Sequence, residues 1–234
     1  MNNKLLVSLL LFFGIISLLL LIDNGAKEKK IKELTYSIQQ SKIDALPESY
    51  YYLNAYTSYE NQDWNGVTTN VFAYVQKTQK FNLELNPIVY LYNGYAYYKL
   101  GFINEKKNNE LLLKSNEQLD LYVKINNKNT MAYFIKGLTN LALMMPPKDK
   151  SFDKYANDAE NAFNYALSTT TIQSQIDKIN YHLALVFYHK ALDLRSRDIK
   201  SNVSDLKQKS VDLLNTLNDQ KSKDVLKEIN NTLK

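Results

Sequence analysis

Histidine and acidic side chains are the usual metal ligands and proton carriers, and the chain has two histidines, His182 and His189. The two are seven residues apart in a segment of helical periodicity. They therefore share one helix face but lie about 10 Å apart along its axis. That distance is too long for a shared metal ion, and the acidic residues are scattered over predicted helix surfaces. We expect no metal site.

Motifs of nucleophilic, nucleotide-dependent and zinc-dependent catalysis are missing from the sequence. G-x-S-x-G, the P-loop, the dinucleotide-binding glycine pattern and H-E-x-x-H do not occur. The absence of cysteine excludes disulfides, thiolate metal sites, lipid attachment at cysteine and thiol catalysis. We therefore expect a non-enzymatic protein without a cofactor.

Tyrosine is the unusual residue of this chain, with 18 copies, and five of them fall in the stretch VYLYNGYAYYKLG at 89–101. Such a stretch is compatible with a strand, a base-stacking surface or a helix face. Glycine and proline number only 6 and 4, too few for a turn-rich β-fold. Arg195 and Arg197 are the only arginines, so the tyrosines are not interleaved with arginine as on a nucleic-acid surface, despite the net charge of +5. A helix is the favoured interpretation.

The N-terminus carries 18 uncharged, mostly apolar residues at 5–22, between Lys4 and Asp23. A helix of this length spans about 27 Å, close to the thickness of a bilayer core. We predict an uncleaved signal anchor at 1–26 that holds the bulk of the chain on the extracytoplasmic, periplasmic side. Cleavage with release into the periplasm stays an alternative, and so does a cytoplasmic domain, because four lysines follow the apolar run.

The rest of the chain shows the 3.6-residue periodicity of helices and no alternation typical of strands. A charged helical spacer is predicted at 27–46, and Pro47 ends it. The predicted helices are near 48–61, 65–82, 87–100, 104–126, 129–145, 152–168, 172–195, 202–218 and 222–232.

Two patterns suggest a repeat of helix pairs. Tyr133 is followed four residues later by Gly137, and further on Ala159, Phe163 and Ala166 are spaced by four and three. This combination resembles the tetratricopeptide repeat (TPR) family, in which such residues mark helix A and helix B of a unit of about 34 residues. Here the two helices are further apart, and prolines at 146 and 147 lie in the longer loop.

Other segments fit the same pattern less closely. The helix A matches are Tyr51, Ala55 and Ser58; Tyr90, Gly94 and Tyr97; and Asn180, Ala184 and Phe187. The helix B matches are Val67, Val71 and Tyr74, and weakly Leu206, Ser210 and Leu213. We expect the small residues Ala55, Gly94, Gly137 and Ala184 where two helices cross most closely. The resemblance implies an all-α fold of stacked helix-turn-helix repeats, a short right-handed solenoid, at 47–218, with a capping helix at 219–234. An irregular helical bundle is the alternative.

In the TPR family, helix A residues line a concave groove that binds partners. The resemblance places one stripe per repeat in that groove. The stripes are Tyr52, Tyr56 and Tyr59; Leu91, Tyr95, Tyr98 and Lys99; Phe134, Leu138 and Leu141; and Tyr181, Leu185 and Tyr188, with Glu60 and His189 beside them. Alternatively, these side chains are covered by the C-terminal helices or by tight superhelical closure and belong to the core. Tyr92 is expected on the outer side or against a neighbouring helix.

The predicted function is a membrane-anchored, non-catalytic adaptor that binds a protein or peptide through this aromatic and apolar groove. Assembly of the bacterial cell envelope or assistance to exported proteins would suit it. One alternative is a helical carrier for a lipid or small apolar ligand. Another is a homo-oligomer formed through apolar residues of the last two helices, which equally suit a cap: Leu213, Leu214, Leu217, Val225, Leu226 and Ile229.

Overall fold

The computed structural model of the chain describes residues 29, 30, 32–34, 36, 37, 46–102, 106–145 and 151–233. The chain divides into two units, Met1–Tyr50 and Tyr51–Lys234. The predicted anchor at 1–26, most of the spacer and the two prolines at 146 and 147 lie outside the described residues. Of the spacer, the described positions between 29 and 37 are helical and exposed. In the described ranges, no helix is both long and apolar enough to cross a bilayer.

From residue 46 to 233, the described residues form α-helices and no strand, so the all-α prediction is confirmed. The helices are α1 Glu48–Glu60, α2 Trp64–Lys80, α3 Ile88–Leu100, α4 Asn109–Ile125, α5 Thr130–Leu143, α6 Phe152–Ser168, α7 Gln173–Ser196, α8 Val203–Asn215 and α9 Gln220–Thr232. Each has a counterpart among the predicted helices.

Polar caps set several of the helix starts. The side chains of Asp63, Asn108 and Asn129 accept hydrogen bonds from the first-turn amides of α2, α4 and α5, at 3.0, 3.2 and 3.0 Å. Such caps satisfy amides that have no partner within the helix. The Asn108 cap explains why α4 begins at Asn109 and not near residue 104 as predicted.

Successive helices pack against one another from α2 to α9. In addition, α3 contacts α5, and α5 contacts α7. The odd-numbered helices α3, α5 and α7 therefore lie side by side, and the even-numbered helices that alternate with them in the chain contact their sequence neighbours. This is the arrangement that places α3, α5 and α7 on a common face.

Glycines on two odd-numbered helices allow close approach to the following even-numbered helix. A Cβ atom added to Gly94 would lie 2.7 Å from Leu119 Cγ, and one added to Gly137 would lie 2.5 Å from Phe163 Cε1. Both distances are shorter than a carbon–carbon contact permits. Ala184 takes the corresponding place in α7, and it is fully buried, as is Ala55 in α1. At Gly94 and Gly137 the geometry agrees with the close helix crossings expected from the sequence.

The even-numbered helices share a pattern of buried residues spaced by four and three. It comprises Val67, Val71 and Tyr74 in α2; Ser115, Leu119 and Tyr122 in α4; Ala159, Phe163 and Ala166 in α6; and Ser210 and Leu214 in α8, with Leu217 just after it. The α4 set was not predicted. In α8, the predicted Leu206 and Leu213 are only half-buried, so the pattern runs through Leu214 and Leu217 instead.

A hydrogen bond recurs at the first position of this pattern. The Ser115 hydroxyl donates to the Gly94 carbonyl at 2.7 Å, and the Ser210 hydroxyl donates to the Ala184 carbonyl at 2.8 Å. Both serines are fully buried, so each bond supplies the partner that a buried hydroxyl requires. The same contact therefore joins α3 to α4 and α7 to α8.

Substitution of Gly94 by valine should lower the free energy of unfolding by about 1–3 kcal/mol, because the new side chain would separate α3 from α4. Urea denaturation of the purified full-length chain in mild detergent measures this change. Glu117→Val, on the exposed face of α4, is the matched control and should cost well below about 1 kcal/mol. Equal stability of Gly94→Val and the wild-type chain would contradict the close crossing.

Candidate partner-binding surface

Six aromatic rings of α1, the start of α2 and α3 form a connected group, which we call the N-terminal aromatic cluster. Its members are Tyr56, Tyr59, Trp64, Tyr92, Tyr95 and Tyr98. Tyr52, also predicted in the groove, contacts the ring of Tyr74 instead. Tyr59 lies 4.7 Å from Tyr92 and 5.8 Å from Tyr95 between ring centres. Such distances are typical of favourable aromatic pairs.

Six of the seven predicted residues in α1 and α3 keep part of their surface open to solvent. Tyr56, at 42%, and Lys99 are exposed, whereas Tyr52, Tyr59, Tyr95 and Tyr98 are half-buried. Leu91, the seventh, is buried at 8% exposure and belongs to the core with α4 and α5. Leu91 therefore offers little surface to a partner.

A pocket of 310 Å³ opens beside the N-terminal aromatic cluster, lined by Tyr59, Glu60, Gln62, Trp64, Tyr95 and Lys99. The ring of Trp64 stands edge-on to Tyr95 at 5.4 Å. The Lys99 ammonium lies 5.2 Å from the centre of the Tyr95 ring, a cation–π contact. The pocket thus combines aromatic surface with one carboxylate and one ammonium group.

Burial raises the pKa of the Tyr59 and Tyr98 phenols above the usual value, and the neighbouring Tyr95 adds to both shifts. Burial also raises the pKa of Tyr92. These phenols therefore stay protonated at neutral pH and can donate hydrogen bonds.

Two members of this cluster were not predicted as site residues. Tyr92 contacts Tyr56 and Tyr59, so it faces the neighbouring helix and not the outer side. The sequence did contain an indication of this position: Tyr92 is three residues from Tyr95, and residues with this spacing share a helix face. Trp64 is the single tryptophan of the chain, but it starts an even-numbered helix, where no groove residue was expected.

A second pocket, of 160 Å³, lies between the first turns of α5 and α7, and we call it the α5–α7 pocket. Its lining is Thr130, Met131, Phe134, Gln175, Lys178 and Ile179. Phe134 was predicted as a groove residue, and it is half-buried here. Leu138, one turn further along α5, is half-buried against the core formed by α5, α6 and α7.

The remaining predicted groove residues, in α5 and α7, pack against the core of the chain. Leu141 and Tyr188 are buried, at 9% and 3% exposure. The Tyr188 hydroxyl donates to Glu228 of α9 at 2.8 Å, and Tyr181 packs against the same C-terminal core. Leu185 is half-buried against the core of α6 and α7. At the C-terminal end the structure therefore matches the alternative in which the last helices cover the stripe.

The apolar residues considered for an oligomer interface form this cap. Leu214, Leu217 and Ile229 are buried together with Ala184 and Tyr188 of α7. Val225, Leu226 and Leu213 pack against the same core and are half-buried. These residues therefore pack within the chain, as the predicted cap requires.

His182 lies among aromatic rings at the junction of α5, α6 and α7. Its ring centre is 5.6 Å from Phe134 and 6.0 Å from Phe163, and it stacks on the latter. Burial, together with the nearby Lys221 ammonium, lowers the pKa of His182 from 6.5 to about 4. Burial also lowers the pKa of His189. Both imidazoles are therefore neutral at pH 7, and the described residues contain no group of three or more potential metal ligands.

Comparison of the chain with protein-family models, with curated proteins and with solved structures finds no match.

His182 should make the fold sensitive to mild acid. Because folding lowers the pKa of this base to about 4, the unfolded chain takes up the proton first, and stability falls as pH decreases from about 6.5 to about 4. The contribution between pH 7 and pH 5 is about 2 kcal/mol. Urea denaturation at the two pH values should show that His182→Phe loses about that much less stability than the wild-type chain.

Carboxylates and His189 titrate in both chains, so the difference between the two proteins isolates His182. An equal loss in the wild-type chain and in His182→Phe would contradict the neutral, buried imidazole.

Proposed function

We propose that the chain is a non-catalytic, membrane-anchored adaptor with TPR-like helical repeats, which binds a protein or peptide partner on the face formed by the odd-numbered helices. Its fold would be a short right-handed solenoid of three to four helix pairs, ending with α7–α8 and capped by α9. Assembly of the cell envelope or assistance to exported proteins would be the setting.

The recurring contacts between paired helices support the repeat. In two pairs a glycine of the odd-numbered helix packs against a large side chain of the even-numbered helix, Leu119 or Phe163. In two pairs a serine donates to the carbonyl at that small residue. Equivalent contacts at equivalent positions are what a repeat predicts, because each unit buries its face against the next.

The observation that carries the binding function is the half-exposed N-terminal aromatic cluster beside its 310 Å³ pocket. Tyrosine and tryptophan are enriched at protein interfaces because one ring buries a large area while its polar group forms a hydrogen bond. Glu60 and Lys99 at the rim supply charges of both signs, which would orient a bound segment.

The anchor part of the proposal rests on the apolar run at 5–22. Its length suits a bilayer core. We place the repeats on the extracytoplasmic side.

The α5–α7 pocket is too small to serve the carrier alternative. Sites for small molecules usually measure about 300–1,000 Å³, whereas this pocket holds 160 Å³. That volume suits a single side chain and not a lipid tail.

The double variant Tyr56→Ala with Lys99→Glu should lose partner capture in a crosslinking pulldown from membranes, while its melting temperature stays near the wild-type value. Both side chains are exposed, so their loss removes surface and not core. Tyr95 is less suitable, because its ring contacts Tyr59, Trp64 and Tyr98. Truncation of Tyr95 would therefore also destabilise the fold.

The matched control for this pulldown is Phe72→Ala, which removes an aromatic side chain of 51% exposure from the even-numbered helix α2. The control should capture the same partners as the wild-type chain. If the double variant captures them as well, the N-terminal aromatic cluster is not the binding surface.

The orientation has its own test in protease protection. A protease added to bacterial cells should leave the repeats intact, and should digest them once the outer membrane is permeabilised while the inner membrane stays closed. A cytoplasmic protein serves as the protected reference. Digestion only after lysis of the inner membrane would place the repeats in the cytoplasm, and recovery of the repeats in the soluble periplasmic fraction would indicate a cleaved signal.

A further inference from the structure

The α5–α7 pocket has the size and the lining of a receptor for one apolar side chain. Its 160 Å³ is close to the volume of about 150 Å³ that holds a benzene molecule in an engineered apolar cavity. Phe134 and the buried Ile179 form apolar walls, and Met131, at 51% exposure, forms a flexible rim. Methionine is common at surfaces that adapt to a partner, because its side chain is unbranched and polarisable.

The polar groups at this rim that remain available are donors. Lys178 is exposed and forms no ion pair or hydrogen bond with any described residue. Gln175 accepts a hydrogen bond from Thr170 through Oε1 at 2.6 Å, which leaves its amide NH₂ as a donor. The third polar lining group, the Thr130 hydroxyl, is engaged with Thr169.

The nearest carboxylate along α7 forms no ion pair with Lys178. Asp177 is not part of the pocket lining, and its Oδ1 accepts from Gln173 at 2.7 Å. The Lys178 ammonium and the Gln175 amide at the rim therefore favour a ligand that carries negative charge beside an apolar group.

We propose that the α5–α7 pocket is an anchor subsite of the partner-binding face, which takes one large apolar side chain of an acidic peptide while Lys178 and Gln175 bind a carboxylate next to it. This inference rests on the proposed adaptor function, and it names the chemistry of the partner: a leucine-, methionine- or phenylalanine-sized side chain flanked by Asp or Glu. An ammonium can pair with a carboxylate from a side chain or from a chain terminus.

The test uses fluorescein-labelled peptides that contain one leucine between Asp and Glu residues in a Gly/Ser background. Their binding to the full-length chain in mild detergent is followed by fluorescence anisotropy. The acidic leucine probe should bind, and the same peptide with alanine in place of leucine should bind at least about ten-fold more weakly, because most of the buried apolar area is lost. A leucine probe with Lys in place of the acidic residues should bind at least as weakly as the alanine probe does.

Variants at the rim connect the binding to this pocket. Lys178→Glu and Met131→Asp should each weaken the acidic leucine probe by about ten-fold or more, since both place a carboxylate where the probe carries its own. Lys223→Glu makes the same charge change on the exposed surface of α9 and should stay within about two-fold of the wild-type chain. Circular dichroism melts verify that all three variants are folded.

Each of the following outcomes would overturn a specific part of the proposal. Equal binding of the acidic leucine probe to the wild-type chain, Lys178→Glu and Met131→Asp would overturn the anchor subsite and leave the adaptor function standing. Equal binding of the acidic and basic leucine probes would overturn the carboxylate contact. A wild-type dimer that Met131→Asp dissociates would show a second copy of the chain in the pocket.

If no probe binds the wild-type chain, the acidic-peptide assignment is wrong. The membrane pulldown with Tyr56→Ala and Lys99→Glu then judges the adaptor function by itself, because those residues do not line the α5–α7 pocket.

Discussion

The close approach of paired helices at positions without a large side chain is the contact on which the repeat domain depends. At Gly94 and Gly137 the facing side chains, Leu119 and Phe163, occupy the space that a Cβ atom would need. A helix interior glycine costs about 1 kcal/mol relative to alanine, and here it permits dense packing between two helices. Because the glycine side of each of these helices packs against the following even-numbered helix, its opposite side is available for other contacts.

What lies on those sides changes along the chain. At the N-terminal end, tyrosines and the single tryptophan contact one another and leave part of each ring in water. In the middle, Phe134 and Leu138 are half-buried against the core of α5, α6 and α7. At the C-terminal end, Tyr188 is nearly inaccessible beneath α9. Among the predicted groove residues, those of α1 thus all keep exposed surface, whereas Leu141 of α5 and Tyr188 of α7 do not.

Helix content and most helix bounds could be predicted, because the periodicity of apolar residues is a local feature. The start of α4 was missed, because the Asn108 cap moves it to Asn109. The buried pattern in α4 was harder to see, since Ser115 is polar where α6 has Ala159. Only the structure shows that the Gly94 carbonyl accepts its hydrogen bond. The exposure of the predicted groove residues could not be predicted from their spacing. Tyr59, Tyr98 and Tyr188 hold equivalent positions in their helices, but only Tyr188 is buried. It is covered by α9, whose Glu228 lies forty residues further along the chain.

The covering helix has a consequence for assembly. Through Ile229 and the adjoining Leu233, α9 covers apolar residues of α7 and α8 that would otherwise be exposed. The outward surface of α9 bears lysines, Asp and Asn. A terminal element with a polar outer face keeps a helical stack soluble, so this flank offers little apolar surface to a second copy of the chain.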